Sequence, residues 1–207
     1  MQLQSLFIPL AAVATFAGVY VLAPGGQPAA PAVSVAQTTA HPAAAAVKPG
    51  NPLAPAEKGL VECSRPDDAR KTCQALATYS ALGGSRYAVT AVMLVSETGP
   101  VTLETNNVVE VKSGLVCGRM TRRHLAAGRL RLAGRTLQND LAVRIRVAMQ
   151  RSLAGVMDKE ICSSYLATGT ELTEVGTING LHLPSLRQRV KWIRLDDGYT
   201  VGTERGS

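Results

Sequence analysis

Aromatic side chains are scarce in this sequence, which has two Phe, one Trp and five Tyr among 207 residues. Both Phe residues lie near the N-terminus, so the segment from Glu57 to Ser207 contains no Phe and only one Trp, Trp192. A core in that segment must therefore be filled mainly by Leu, Val, Ile and Ala. The segment has the length of one ordinary domain, which suffices to bury a core without a metal.

The short motifs that identify common enzyme classes are absent. The sequence has no G-x-S-x-G, G-x-x-x-x-G-K-S/T, H-E-x-x-H or G-x-G-x-x-G, so we predict no catalytic residue and no cofactor. An exported hydrolase is the enzymatic alternative. Its candidates are a base at His124 or His182 with Ser163 or Ser164 and Asp158, or a pair of acids among Glu160, Glu171 and Glu174.

Metal-binding cysteine spacings are also missing. The chain has four Cys, all after Glu57, and no C-x-x-C, so we predict no metal site. An even number of Cys in one exported domain is typical of disulfides. Of the three possible pairings we favour one short and one long bridge, Cys63–Cys73 and Cys117–Cys162.

No charged side chain precedes Lys48. Residues 6–23 are an uncharged apolar run, which as a helix of about 1.5 Å rise per residue would be about 27 Å long, close to the hydrocarbon thickness of a bilayer. We expect an uncleaved membrane anchor. The alternatives are a signal peptide, cleaved near Ala30-Pro31-Ala32 or Ser34-Val35-Ala36, and a buried core helix.

Residues 24–56 are rich in Pro and Ala, with seven Pro and eleven Ala. Because Pro opposes helices and sheets, we expect a disordered, solvated linker. The predicted layout is an anchor or signal peptide (1–23), a linker (24–56) and an extracytoplasmic, disulfide-braced domain (57–207). The domain would stay anchored in the inner membrane, or be secreted if the N-terminal segment is cleaved.

Two periodicities predict the fold of the domain. Alternating and β-branched residues over 87–118 predict an antiparallel meander. Apolar residues every three or four positions over 136–155 predict the main helix. Residues 189–202 are typical of a hairpin. The predicted fold class is therefore α+β, a β-meander packed by one main α-helix with a C-terminal β-hairpin.

Less regular segments give weaker local predictions. Ser64 and Thr121 each precede residues typical of a first helical turn, so both are expected to cap short helices. Asp158 is expected to begin another helix that continues to Ala167. Residues 169–184, with Gly176 and Asn179-Gly180, are expected to form a loop.

Arg is present in unusual excess in one segment. Nine Arg lie between Arg119 and Arg151, where Asp140 is the only acid. The guanidinium group suits phosphate and carboxylate groups, so we predict an anion- or partner-binding surface formed by Arg119, Arg122, Arg123, Arg129, Arg131 and Arg135. The alternative is a solvated surface with structural ion pairs to acids such as Asp67, Asp68, Glu104 and Glu110.

Compartment and charge together limit the expected partners. Outside the cytoplasm we expect no nucleic acid, and the candidates are an acidic protein, lipid head groups or a cell-wall polymer. Residues 6–23 would contact the membrane itself. The sequence thus favours a non-enzymatic, membrane-anchored envelope (periplasmic) protein that binds through its Arg-rich surface. An exported hydrolase of cell-wall or lipid material and a cleaved, secreted stand-alone domain are the alternatives.

Overall fold

The computed structural model describes residues 50–95, 100–168 and 171–202 of the chain. The predicted membrane segment, residues 6–23, and residues 24–49 of the predicted linker lie outside the described residues. Among the residues described, no helix is long and apolar enough to cross a membrane.

The described residues fold mostly into strands, with three short helices and one 3-10 turn. The strands are β1 (Val61–Ser64), β2 (Thr72–Cys73), β3 (Ala75–Gly83), β4 (Arg86–Leu94), β5 (Val101–Lys112), β6 (Leu115–Arg119), β7 (Arg129–Leu132), β8 (Arg135–Thr136), β9 (Glu160–Thr168), β10 (Glu171–Ile178), β11 (Leu181–Ile193) and β12 (Thr200–Val201). The helices are α1 (Ala54–Glu57), α2 (Arg122–Ala127) and α3 (Asp140–Ser152), and the 3-10 turn is Leu195–Asp197.

Eight strands close into an antiparallel barrel in the order β1-β3-β4-β5-β6-β9-β10-β11 and back to β1. The predicted class, a meander packed by one main helix, is therefore wrong. The predicted meander, residues 87–118, supplies only β4, β5 and β6. The other barrel strands include segments whose sequence is typical of a helix or a loop, and only the closing of the sheet makes them strands.

Alternate residues of the barrel strands face its interior, as the pleat of a strand requires. On β4, Tyr87, Val89, Ala91 and Met93 are buried, whereas the residues between them are only partly buried. Apart from Tyr87, the inward side chains of β4 are thus small or aliphatic, consistent with the lack of Phe after Glu57.

Helix α1 covers the end of the barrel where β1 begins. Leu53 is fully buried against the barrel core, and Ala56 is nearly so. The Tyr87 hydroxyl donates to Glu57 Oε1 at 2.6 Å and accepts from Asn51 Nδ2 at 2.8 Å. Composition assigned residues 51–56 to the end of the linker, but in the structure they pack on the barrel.

The predicted main helix is present as α3 but is shorter and packs differently. It begins after Asn139, whose side chain accepts from the Ala142 N–H at 3.4 Å. Only Ala142 and Met149 of α3 are buried, and Leu141 is 41% exposed. The helix therefore closes one end of a barrel and does not lie across the face of an open sheet.

The predicted helix over 158–167 is wrong, because β9 begins at Glu160. Within the predicted loop over 169–184, the described residues from Glu171 onward form β10 and the start of β11. Gly176 is a strand residue against which Leu186 packs closely, since a Cβ at position 176 would lie 2.8 Å from the Leu186 Cβ. Asn179 and Gly180, with φ of 49° and 80°, form the tight turn between β10 and β11.

Two other local predictions are wrong. Ser64 ends β1 and does not begin a helix. The segment after β11 does not fold back on it as a hairpin, because β12 pairs in parallel with β2. The 3-10 turn and Gly198, with φ of 81°, direct the chain away from β11.

Both predicted disulfide pairings are confirmed. Cys63–Cys73 joins β1 to β2, and Cys117–Cys162 joins directly paired positions of β6 and β9. The two disulfides indicate an extracytoplasmic protein.

Candidate functional site

Most of the Arg-rich segment lies in one connection between neighbouring strands. Strand β6 ends at Arg119, β9 begins at Glu160, and these two residues pair across the sheet. Residues 120–159, here called the β6–β9 connection, therefore leave the barrel and return to it at one point. The connection contains α2, β7, β8 and α3.

The β6–β9 connection has nine basic and two acidic residues, a net charge of +7. This equals the formal net charge of the whole chain, because the remaining residues contain 13 basic and 13 acidic side chains. The surplus of positive charge therefore lies in the β6–β9 connection, at one end of the barrel.

The inner side of the connection is apolar and closes that end of the barrel. Eight of its side chains are buried in the same cluster as the barrel core: Met120, Leu125, Leu130, Leu137, Ala142, Met149, Leu153 and Met157. This packing holds the backbone of the connection against the barrel and leaves its charged side chains on the outside.

The N-terminus of α2 is capped as predicted. The Thr121 Oγ1 accepts from the His124 N–H at 3.1 Å, and the Thr121 N–H donates to His124 Nδ1 at 3.4 Å. Arg122 and Arg123 follow in the first turn and are exposed. Cations at a helix N-terminus interact unfavourably with the helix dipole, so Arg122 and Arg123 do not stabilise α2.

Three arginines of the segment have structural partners. Arg146 Nη1 donates to the carbonyl oxygens of Leu125, Ala126 and Gly128 at 2.9–3.1 Å and so fastens α3 to the end of α2. Arg129 and Arg131 of β7 both form ion pairs with Glu104 of β5. Arg129 and Arg131 belong to the predicted binding set, but their ion pairs with Glu104 give them a structural role.

Five other arginines of the connection are exposed, and among the described residues none forms an ion pair: Arg122, Arg123, Arg135, Arg144 and Arg151. The structure therefore separates the predicted set. It leaves Arg122, Arg123 and Arg135 available to an anion, and it adds Arg144 and Arg151, which the predicted set did not include.

Helix α3 also exposes apolar side chains. Val143 and Val147 are 61% and 39% exposed, and with Arg151 they recur at a spacing of four residues, which places them on one helical face. Arg144 lies next to this row. The outer face of α3 thus combines aliphatic and cationic groups.

Arg119 lies outside the connection, in a shallow groove of about 660 Å³ on the barrel wall. Arg86, Lys112, His124 and Glu160 also line it. Lys112 Nζ is 2.9 Å from Glu160 Oε1, and this contact raises the pKa of Lys112 and lowers that of Glu160. Among the described residues Arg119 and Arg86 form no ion pair, so the groove offers two available cations.

The hydrolase candidates do not form a catalytic arrangement. His182 is exposed at the start of β11, while Ser163 faces the barrel interior. His124 lines the groove with Glu160, but the lining includes no Ser or Thr, and its Cys117 is in a disulfide. Ser164 donates to the Val175 carbonyl at 3.4 Å, and Asp158 is exposed.

The three candidate acids are also separated. Glu171 faces solvent and pairs with Arg189, and Glu160 pairs with Lys112. Glu174 is buried inside the barrel at 3% exposure. A second buried acid, Glu62, lies close enough for the charge of Glu174 to raise its pKa, and no sequence motif identified it. The sequence signal for Glu62 is weak: it is a single acid between the apolar residues Val61 and Cys63. The helix expected to begin at Ser64 gave no reason to place this acid in a buried strand.

Comparison with known proteins gives no assignment: no family model matches the sequence, and no curated protein or solved structure is significantly similar to it.

Proposed function

We propose that this chain is a non-enzymatic, extracytoplasmic binding protein, held in the inner membrane by residues 6–23, whose β6–β9 connection binds anionic lipid head groups. One observation carries the proposal: the net charge of the chain is concentrated in this connection, with five exposed arginines that form no ion pair among the described residues. Residues 24–49 would act as a spacer between the membrane segment and the barrel.

The outer face of α3 favours lipid over the other anionic partners. Val143 and Val147 beside Arg144 and Arg151 provide aliphatic contact together with cations, and this combination suits the interface of an anionic membrane. A cell-wall polymer or an acidic protein would use the charge but would not require the exposed valines.

An exported hydrolase has less support, because the groove that holds His124 and Glu160 is lined by no serine or threonine nucleophile. If the N-terminal segment is cleaved, the same surface would act in a secreted domain. The intact mass of the native protein distinguishes these two forms.

Binding to vesicles of phosphatidylglycerol, compared with neutral phosphatidylcholine vesicles, tests the proposal. The N-terminal apolar segment contributes to both, so the ratio of the two affinities isolates the charge. We expect Arg144→Glu with Arg151→Glu to lower this ratio by at least about thirtyfold, since each membrane-facing arginine contributes about 1 kcal/mol. Arg122→Glu with Arg123→Glu should also lower it.

The matched control reverses two cations of the barrel side, Lys58→Glu with Arg187→Glu, which changes the net charge by the same amount. Both side chains are exposed, and neither forms an ion pair among the described residues. If the control lowers the ratio as much as the α3 pair, only net charge acts. The valines contribute to both kinds of vesicle, so their test is the affinity for phosphatidylglycerol vesicles itself. If Val143→Ser with Val147→Ser leaves that affinity unchanged while the arginine pairs lower the ratio, the partner is a polymer or protein and the lipid proposal is wrong.

A further inference from the structure

The barrel interior contains a second cluster with recognisable chemistry, separate from the basic connection. The registers of β1, β10 and β11 direct Glu62, Glu174, Gln188 and Trp192 inward, since Glu62 pairs with Trp192 and Glu174 pairs with Gln188. Glu62, Glu174 and Gln188 are exposed by only 1%, 3% and 4%. Two carboxyl groups are thus enclosed in one barrel.

Both carboxyl groups accept hydrogen bonds from neutral donors. Tyr79 and Tyr165 donate their hydroxyl protons to Glu62 Oε2 at 2.8 and 2.9 Å. Ser163 Oγ donates to Glu174 Oε1 at 2.5 Å, and Gln188 Nε2 donates to Glu174 Oε2 at 2.5 Å. No cationic side chain takes part in these contacts.

Two oxygens of this cluster lack a donor. Glu62 Oε1 and Gln188 Oε1 are buried, and neither accepts a hydrogen bond from the described residues. A buried acceptor without a donor is costly, and a carboxylate oxygen more so than an amide oxygen. Both oxygens belong to the network around the two acids. Once Glu62 has lost its proton, each is a buried acceptor to which the described chain supplies no donor.

Three aromatic residues lie beside Glu62: Tyr79 and Tyr165, which donate to it, and Trp192, which pairs with it across the sheet. The Trp192 ring centroid lies 6.0 Å from that of Tyr79 and 6.5 Å from that of Tyr165. Tyr165 and Trp192 are only partly buried, whereas Glu62 and Glu174 are enclosed, so the cluster lies nearest to solvent at these two rings. Aromatic faces beside carboxylates are the usual recognition elements for organic ammonium groups.

From this geometry we infer that the barrel interior binds a small alkylammonium ion, whose N–H groups donate to Glu62 Oε1 and Gln188 Oε1 beside the rings of Tyr79, Tyr165 and Trp192. The cation supplies the missing donors and compensates the negative charge of Glu62. The inference does not depend on the lipid-binding proposal, because it concerns different residues and a ligand of opposite charge.

The protonation of Glu62 makes the binding depend on pH. Burial, followed by the charge of Glu174, raises the pKa of Glu62 to about 8, and burial raises the pKa of Glu174. The titratable groups that face Glu62 are Tyr79, Tyr165 and Glu174. The bound cation replaces the Glu62 proton, which leaves to solvent, so affinity should rise as the pH approaches about 8 and then level off.

Trp192 is the only Trp in the chain, so its fluorescence reports the site directly. We expect methylammonium chloride to change Trp192 emission saturably in the full-length protein, with sodium chloride at equal concentration having no such effect. Tetramethylammonium should bind more weakly, because it has no N–H to donate.

Glu62→Gln should weaken methylammonium binding by about tenfold or more, since it removes the charge and keeps the shape. Glu171→Gln, on the same strand as Glu174 but exposed, is the matched control and should leave the affinity unchanged. Near-ultraviolet circular dichroism of each variant confirms that it is folded. A folded wild type whose Trp192 emission does not respond to methylammonium, or a folded Glu62→Gln that binds as well as the wild type, would overturn the inference.

Discussion

The barrel and the β6–β9 connection bury apolar side chains in one shared core, yet they place charge in opposite ways. The connection keeps its core side purely apolar, with Met and Leu, and directs its surplus of seven positive charges outward. The barrel side of the chain balances its charges overall and encloses two acids, Glu62 and Glu174. The two proposals rest on this difference, because an exposed cationic surface suits anions and an enclosed acidic interior suits cations.

Stability is also organised differently in the two regions. The barrel is closed by strand pairing through its whole circumference, and its acids are held by hydrogen bonds from Tyr, Ser and Gln. The connection has one short hairpin and two helices, so its position depends on buried side chains and on the contacts of Arg146. Three substitutions test this comparison.

The largest effect is expected in the core of the connection. Leu153 is 1% exposed, and Leu153→Ala should lower the free energy of unfolding by about 2–5 kcal/mol through lost burial and the cavity left behind. The matched change on the outer face of α3, Val147→Ala, should lie within about 0.5 kcal/mol of the wild type. Urea denaturation measures both, and equal losses would mean that α3 does not pack as described.

A pH effect is expected from the barrel interior. Glu62 keeps its proton in the folded state up to its pKa of about 8, while in the unfolded chain it loses the proton near the ordinary glutamate pKa of 4.5. The free energy of unfolding should therefore fall as the pH rises through this window, and Glu62 alone should contribute at most about 1.4 kcal/mol per pH unit to that fall. Glu62→Gln should reduce this slope and leave a remainder from Glu174, whose pKa is also raised.

Glu160→Gln is the control for that slope. Lys112 lowers the pKa of Glu160, so its contribution to stability has the opposite sign and is lost as the pH falls. Chemical denaturation between pH 5 and pH 8 compares the variants. A wild-type stability that does not fall with rising pH would contradict the burial of a protonated Glu62.

The smallest effect is expected from the link between α2 and α3. Arg146→Met keeps much of the aliphatic stem but removes the donor to three carbonyl oxygens, so we expect a loss of about 1–2 kcal/mol and faster amide exchange at the end of α2. Arg144→Met, two positions earlier and exposed, should change neither. If both substitutions have the same effect, Arg146 is only another surface cation.

Local chemistry made several parts of the molecule predictable. Thr121 as a helix cap and both disulfides followed from residue types and spacing, because capping and cross-linking are short-range or combinatorially limited problems. The excess of Arg in residues 119–151 was also evident from the sequence. The sequence did not show which arginines are free of ion pairs, because Glu104, the partner of Arg129 and Arg131, lies about 25 residues away.

Cys162 and Tyr165 show why the fold class was wrong. Their segment lies between Asp158, a favourable helix cap, and the glycines that follow, so its local propensity does not favour a strand. Pairing with β6 on one side and β10 on the other makes it β9. Strand identity there depends on non-local partners, and propensity in β-sheets yields to such context.

The sequence by itself determined the cysteine framework, the apolar N-terminal run, the Pro/Ala-rich segment and the position of the basic surplus, since each is a property of composition or spacing. Only the tertiary structure decided the closure of the barrel, the enclosure of Glu62 with Glu174, and the division of the arginines into paired and available groups. The physical reason is the same in all three cases. Hydrogen bonds, burial and ion pairs depend on which distant residues the fold brings within a few ångströms of one another, and sequence spacing does not give that distance.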